Sequence, residues 1–253
     1  MNDNFIKEVV WDRTSGALPG DTYLTALPVV RFLEGGGRLP LETPITFLVG
    51  ENGTGKSTLL EAVAVVSGFN AEGGSRNFNF STEATHSGLW RYLLLRRGRT
   101  AKDGFFLRAE SFYNVASYLD EMKDAAAFRS YGGKSLHEQS RGESFLALVQ
   151  NRFGGNGLYF LDEPEAAVSP MRQMTLLAQM YELAGQGAQF IVATHSPILM
   201  SCPGGCVYQF REDGIEQVDY RETEHFEITR QFLNAPERML EILTGEAQSG
   251  EQP

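Results

Sequence analysis

An α/β fold built on a largely parallel core sheet is what this sequence predicts, and three stretches predict it. Ile45-Thr46-Phe47-Leu48-Val49 is apolar and β-branched, and it runs through a glycine-rich loop into a helical stretch at 57–66. Leu158-Tyr159-Phe160-Leu161 and Phe190-Ile191-Val192-Ala193 are apolar at every position, the pattern of strands buried on both faces. Each of these two runs ends abruptly in polar residues, Asp162-Glu163-Pro164 and Thr194-His195-Ser196.

The other elements follow in chain order. Residues 4–10 alternate apolar with polar and read as a first strand. The cationic stretch 91–108 reads as a solvated hairpin with Arg96-Arg97-Gly98-Arg99 near its tip, and Gly104-Phe105-Phe106-Leu107-Arg108-Ala109-Glu110 contains a further strand. Residues 116–143 form a helical segment, and a helix opens at Glu143 with Phe145, Leu146, Leu148 and Val149 at helical spacing. A crossover helix over 170–184 turns Met171, Met174, Leu177 and Met180 inward. Residues 207–210 and 215–218, split by Glu212-Asp213-Gly214, read as a hairpin, and 223–233 and 236–243 as terminal helices. The expected organisation is one domain over 1–245 and a disordered tail over 246–253. Its parts are a β-rich lobe (4–115), the helical segment (116–143), a core (144–222) and the terminal helices (223–245).

Bulk properties narrow the class. A chain of 253 residues with 42 % hydrophobic content suits one large globular domain. No apolar run approaches the roughly 18 residues of a membrane span, and no signal-peptide core opens the chain, so no membrane insertion and a cytoplasmic location are expected. Cys202 and Cys206 lack a second pair to complete a zinc site and read as free thiols. The net charge of −10 argues against a dedicated nucleic-acid binder. Arg91, Arg96, Arg97, Arg99, Lys102 and Arg108 nonetheless gather with only Asp103 against them, either as a solvated face or as a patch for phosphate backbones or an acidic partner.

The chemistry is concentrated in four places. Gly50-Glu51-Asn52-Gly53-Thr54-Gly55-Lys56-Ser57-Thr58 satisfies G-x-x-x-x-G-K-[S/T] between a strand and a helix, where backbone N–H groups cradle phosphates. Lys56 is expected on the β- and γ-phosphates and Ser57 on Mg²⁺. Asp162 is placed to hold Mg²⁺, and Glu163 to orient or deprotonate the attacking water. His195, at the end of another core strand, can hold a γ-phosphate oxygen. Ser140-Arg141-Gly142-Glu143 opens a second helix N-terminus. One nucleotide needs one cradle, so the economical reading gives this second one to a nucleotide held by another copy.

Taken together these motifs make the chain resemble an ATP-binding-cassette ATPase. Residues 50–58 are similar to Walker A, 158–163 to Walker B with its glutamate, Ser140-Arg141-Gly142-Glu143 to the signature and His195 to the switch histidine. Ser140 lies 22 residues before Asp162 (162 − 140) and His195 33 after it (195 − 162). The resemblance implies ATP and Mg²⁺ as ligands. Asn52, Gly53, Thr54, Gly55, Lys56, Ser57 and Thr58 would hold the phosphates, Ser57 and Asp162 the metal, and Glu163, His195 and Lys56 the chemistry. It also implies an ATP-dependent head-to-tail homodimer in which Ser140 and Gly142 act on the partner's nucleotide.

Departures narrow the branch. Arg141 stands where the usual signature has glycine, Glu143 resembles the SMC-like heads, and Ser169 replaces the aspartate usual in transporters. No glutamine occupies a Q-loop position, for which Glu110 is the substitute. Gly73-Gly74-Ser75-Arg76-Asn77-Phe78 and Gln139-Ser140-Arg141-Gly142-Glu143-Ser144-Phe145 resemble the AAA_21-like, SMC-like group of compact ATPases. The 83 residues between Lys56 and Ser140 (57–139) leave no room for a long coiled-coil arm, and the 58 after His195 (253 − 195) none for an added nuclease, so a bare head is expected. For the adenine, Tyr23 is the candidate stacking aromatic, arriving from an early strand, with Trp11 and Arg13 as competitors. Three functional readings compete: a soluble ATPase whose dimerisation switches a partner or acts near nucleic acid, the nucleotide-binding subunit of a membrane transporter, and a non-catalytic nucleotide sensor, against which the presence of both Glu163 and His195 argues.

Overall fold

The computed structural model describes residues 3–18, 23–75, 87–110, 112 and 140–245. The expected helical segment up to 139, Arg76-Asn77-Phe78 and the 246–253 tail lie outside these residues. In chain order the elements are β1 (Ile6–Trp11), α1 (Pro28–Glu34), β2 (Arg38–Pro40), β3 (Ile45–Gly50), α2 (Lys56–Val66), β4 (Leu93–Arg97) and β5 (Asp103–Arg108). Then follow α3 (Arg141–Arg152), β6 (Gly157–Asp162), α4 (Pro170–Gly185), β7 (Gln189–Ala193), the one-turn α5 (Pro197–Met200), β8 (Cys206–Arg211), β9 (Gly214–Val218), α6 (Glu224–Asn234) and α7 (Pro236–Thr244).

The main sheet has the order β5-β6-β7-β3-β8-β9, parallel except for the β8–β9 hairpin. β3, β6 and β7 are buried along their whole length, as an apolar run covered on both faces requires. Side chains alternate faces with period two, and consecutive residues therefore enter different cores. Phe47, Phe105, Leu107, Tyr159, Leu161, Phe190 and Val192 meet α3 and α4 through Phe145, Leu148, Leu176 and Met180. Leu48, Phe106, Phe160 and Ile191 point the other way, onto Leu59, Leu60 and Val63 of α2 and onto the small antiparallel sheet β2-β1-β4. Helices α2 and α3 thus cover opposite faces. The two sheets are pinned by Gln189, 1 % exposed, whose side-chain amide bonds both the N–H and the C=O of Ile6 (2.9 and 2.8 Å).

Two expectations need correction. The stretch 91–108 is not a hairpin: β4 pairs with β1 in the small sheet, whereas β5 pairs with β6 in the large one. In α4 the inward residues are Gln173, Leu176, Met180 and Leu183, while Met171 and Met174 are 69 % and 48 % exposed. Successive steps of three residues fall short of a full helical turn, so a 171-174-177-180 stripe drifts around the helix and only its end reaches the core. A mixed three-and-four spacing keeps to one face. Gln173 is tolerated inside because its amide receives Ser196 Oγ (2.6 Å) and donates to Val168 C=O (3.2 Å). Among the described residues, no helix is long and apolar enough to cross a membrane.

Candidate functional site

Strand order builds the site. β7 lies between β3 and β6, so the loops leaving these three strands emerge side by side at one sheet edge. That edge carries 50–56 from β3, Asp162-Glu163 from β6 and Thr194-His195 from β7. C-terminal strand ends are where parallel α/β sheets place ligand chemistry.

The glycine loop needs its glycines. Gly50 has φ 140° and a Cβ there would strike the Phe210 carbonyl oxygen; Gly55 has φ 94° and a Cβ would strike Val29 Cγ1. Gly55 caps α2 without any side-chain bond to the helix, so the first N–H groups of α2 face the loop cavity. Lys56 is 4 % exposed and its Nζ donates to the carbonyls of Gly50 (2.7 Å) and Glu51 (2.8 Å). Burial lowers its pKa, while the charges of Glu163, Asp162, Glu165 and Glu51 oppose that shift.

Ser57 Oγ donates to Asp162 Oδ1 at 2.8 Å, joining residues 105 apart in sequence. Burial pushes the Asp162 carboxyl up to about 6, against the Arg108 charge and the Ser57 hydrogen bond. A desolvated carboxylate beside a hydroxyl is a hard-oxygen pair seeking a cation, and one or two such ligands completed by phosphates and water suit Mg²⁺. Among the described residues, no group of three or more His, Cys, Asp or Glu could hold a metal by itself. Cys202 and Cys206 are buried free thiols.

Glu163 follows in the left-handed conformation (φ 48°, ψ 50°), a backbone state costing about 1–2 kcal/mol for a non-glycine residue. Its N–H bonds the Ala193 carbonyl (2.9 Å), which ties the acid to the end of β7. Its Oε1 lies 3.7 Å from His195 Nε2, with the Glu163 side chain 42 % exposed. The next loop is braced by a residue outside the expected set. Glu165 accepts from Thr194 Oγ1 (2.8 Å) and from the His195 N–H (2.5 Å), locking the loops after β6 and β7 together. His195 Nδ1 meets His225 Nε2 of α6 at 2.7 Å, while its Nε2 is buried without a hydrogen-bond partner among the described residues. Burial, then the Lys56 and His225 charges, push the His195 pKa down to about 4, so its ring is neutral near pH 7.

Ser140 precedes α3 and donates from both N–H and Oγ to Glu143 Oε2 (3.1 and 2.6 Å), with Arg172 Nη2 3.2 Å from Glu143 Oε1. Those hydrogen bonds lower the Glu143 pKa. A Cβ at Gly142 would meet the movable Arg172 Nη1 at 2.6 Å and the Ala167 carbonyl oxygen at 3.2 Å, so the position is tight. This helix packs on α4, on the sheet face opposite α2, so the structure does not bring Ser140 and Gly142 to the glycine loop of their own chain.

The remaining candidates are placed as follows. Tyr23 sits on a 3-10 turn rather than a strand, 61 % exposed, just before the Leu27–Val29 segment whose side chains abut Gly55. Trp11 is a core residue stacked on Tyr92 at 5.4 Å. The cationic cluster is not one patch. Arg96 pairs with Glu8 (3.2 Å), Arg97 donates to Val66 C=O (2.6 Å), and Arg99 donates to Asp3 C=O (2.7 Å) and lies over the Phe5 ring. Arg108 belongs to the site itself: Nη1 pairs with Glu61 (2.8 Å) and Nε lies 3.4 Å from Asp162 Oδ2. The signal was its position, since Arg108 is register partner to Asp162 at the same strand edge. His225 and Glu165 carried no comparable signal. Glu110, expected at the Q-loop position, follows β5 and its charge helps to raise the Asp162 pKa.

Residues 30–130 match the family model "AAA domain", and 125–201 match "AAA domain, putative AbiEii toxin, Type IV TA system". Among solved structures the chain is similar to the SMC head domain from Thermotoga maritima (15 % identity, 85 % of this chain and 99 % of that one, TM-score 0.45). It is also similar to cbiO1 from Clostridium perfringens, part of the ABC transporter complex cbiONQ (16 % identity, 95 % and 100 %, TM-score 0.47). The two family models, both of AAA domains, meet just before Ser140 and between them take in every motif from the glycine loop to His195.

Proposed function

We propose that this chain binds ATP with Mg²⁺ and hydrolyses it to ADP and phosphate, in a homodimer that closes around two nucleotides and switches a partner. The observation that carries the reading is the 2.8 Å bond from Ser57 to Asp162, made at the uncapped N-terminus of α2 beside buried Lys56. When bound, Mg²⁺ would screen the β- and γ-phosphate charges, with Ser57 and Asp162 as its protein ligands. Asn52 through Thr58 cradle the phosphates with backbone N–H groups. Lys56, held by two carbonyls, exchanges those for phosphate oxygens. Glu163 accepts the proton of the attacking water, and His195 Nε2 donates to a γ-phosphate oxygen. Positioning and electrostatics of this kind are what phosphoryl transfer requires.

The homodimer is supported by the separation of α2 and α3 on opposite sheet faces. A Ser140 helix able to reach a γ-phosphate must then come from a second copy. Tyr23, exposed beside the loop, is the proposed base-stacking residue. Arg96, Arg97, Arg99 and Arg108 make separate contacts within the chain rather than one cationic patch, which supports a protein partner over nucleic acid. A Glu163→Gln variant tests the reading. It should bind ATP, lose turnover by at least about 100-fold and accumulate as an ATP-bound dimer in light scattering. Turnover at the wild-type rate would remove Glu163 from the mechanism.

A further inference from the structure

His225 is the residue that the ATPase reading leaves without a task, and its surroundings are specific. It lies in the first turn of α6, whose start is fixed by Thr223, fully buried and bonded through Oγ1 to Tyr220 C=O (2.6 Å) and Met200 Sδ (3.3 Å). Met200 closes the short helix that follows His195, so β7's loop and α6 are held against each other independently of the histidine contact. Two imidazole nitrogens then meet at 2.7 Å. A neutral imidazole has one N–H and one bare nitrogen, so one ring must donate and the other accept.

The direction follows from the opposite edge of His195. There Nε2 is buried, lacks a hydrogen-bond partner among the described residues and faces the Glu163 carboxylate at 3.7 Å. A carboxylate, and equally a phosphate oxygen, only accepts, and favours a proton on the nitrogen facing it. With the proton on Nε2, His195 Nδ1 is bare and must accept from His225. We propose that His225 is a positioning residue, donating Nε2–H to His195 Nδ1 and thereby fixing His195 as the tautomer that presents Nε2–H to the γ-phosphate. The reverse tautomer would aim a lone pair at an anion. Neutral rings at this contact agree with the N-terminal position of His225, where the helix dipole disfavours an imidazolium.

The catalytic consequence rests on the ATPase reading, whereas the tautomer does not, and one experiment separates them. Nitrogen NMR of the full chain labelled at histidine, assigned with His195→Gln and His225→Gln, reads which His195 nitrogen carries the proton. Steady-state ATPase kinetics and thermal melts are measured alongside for His225→Gln and His225→Leu. The wild type should show His195 protonated at Nε2. His225→Leu should mix the tautomers and lower kcat by about 10- to 100-fold, the range seen when the orienting partner of a metal-ligating histidine is removed, with KM for ATP unchanged. His225→Gln, which retains an N–H donor, should restore most of kcat. A wild-type His195 protonated at Nδ1 overturns the inference, as does an unchanged kcat in a folded His225→Leu chain. A loss that Gln does not rescue, with both variants folded, also overturns it. A wild type with Nε2–H and no turnover leaves the assignment standing and sinks the ATPase reading instead.

Discussion

Replacing Arg108 by methionine tests whether this arginine belongs to the site or to a surface patch. Its side chain is 20 % exposed and bridges Glu61 and Asp162, themselves 10 % and 7 % exposed. Methionine keeps the aliphatic stem and removes the charge, leaving two buried carboxylates without the guanidinium that bridges them. Breaking a buried pair by deleting one partner costs about 3–5 kcal/mol. The lower end applies here, because Glu61 keeps its bond from the Ser87 N–H (2.9 Å) and Asp162 its bond from Ser57. About 3 kcal/mol corresponds to a fall in Tm of about 6–12 °C for a domain of this size. The control is Arg96→Met, whose side chain is 71 % exposed and whose pairing with Glu8 contributes at most about 1 kcal/mol. Thermal and urea melts of both variants without nucleotide supply the comparison. Equal, small shifts for the two would refute the placement of Arg108 in the site.

Two further outcomes are expected. Lys56→Ala removes the buried ammonium held at the glycine loop, and ATP titration by calorimetry should show at least a tenfold loss of affinity (about 1.4 kcal/mol); unchanged affinity would sink the loop assignment. His195, depressed to about 4 in the folded chain from an ordinary 6.5, makes the unfolded state bind more protons between those values. Its contribution to stability is therefore complete above pH 6.5 and is lost as pH falls towards 4, while Asp162, raised to about 6, acts in the opposite sense. Comparison with His195→Gln isolates the histidine: the wild-type Tm should fall more steeply than the variant's between pH 6.5 and 4, and parallel curves would contradict the burial argument.

The parts legible in the sequence are those whose chemistry is local. A glycine loop between strand and helix, and an apolar run that stops at two acids, announce both an element and its role, because burial and backbone geometry act within a few residues. Met171 and Met174 were misread because helical spacing alone does not say which of two nearly equivalent stripes meets the sheet; the buried Gln173–Ser196 bond decided it. Arg108 was hidden in a run of cations because sheet membership is a tertiary property, and one residue's difference in strand face or end separates solvent from the site. His225 and Glu165 are single polar residues whose importance comes from the loops they touch. Tyr23 lies on a one-turn 3-10 segment directly before α1, too short to carry a periodic pattern that would distinguish it from a strand.

The insertion of β7 between β3 and β6 also constrains how the molecule is made. The glycine loop is assembled from neighbours in sequence, so strand β3 and helix α2 can form it early. The acid pair cannot be set beside it until β7, more than 100 residues further on (189 − 56), has threaded between two strands that share no hydrogen bonds with each other. Closing so long a loop is slow relative to local structure. A partly folded chain would therefore present the glycine loop before the acid pair stands beside it, and the candidate site is complete only with the whole sheet.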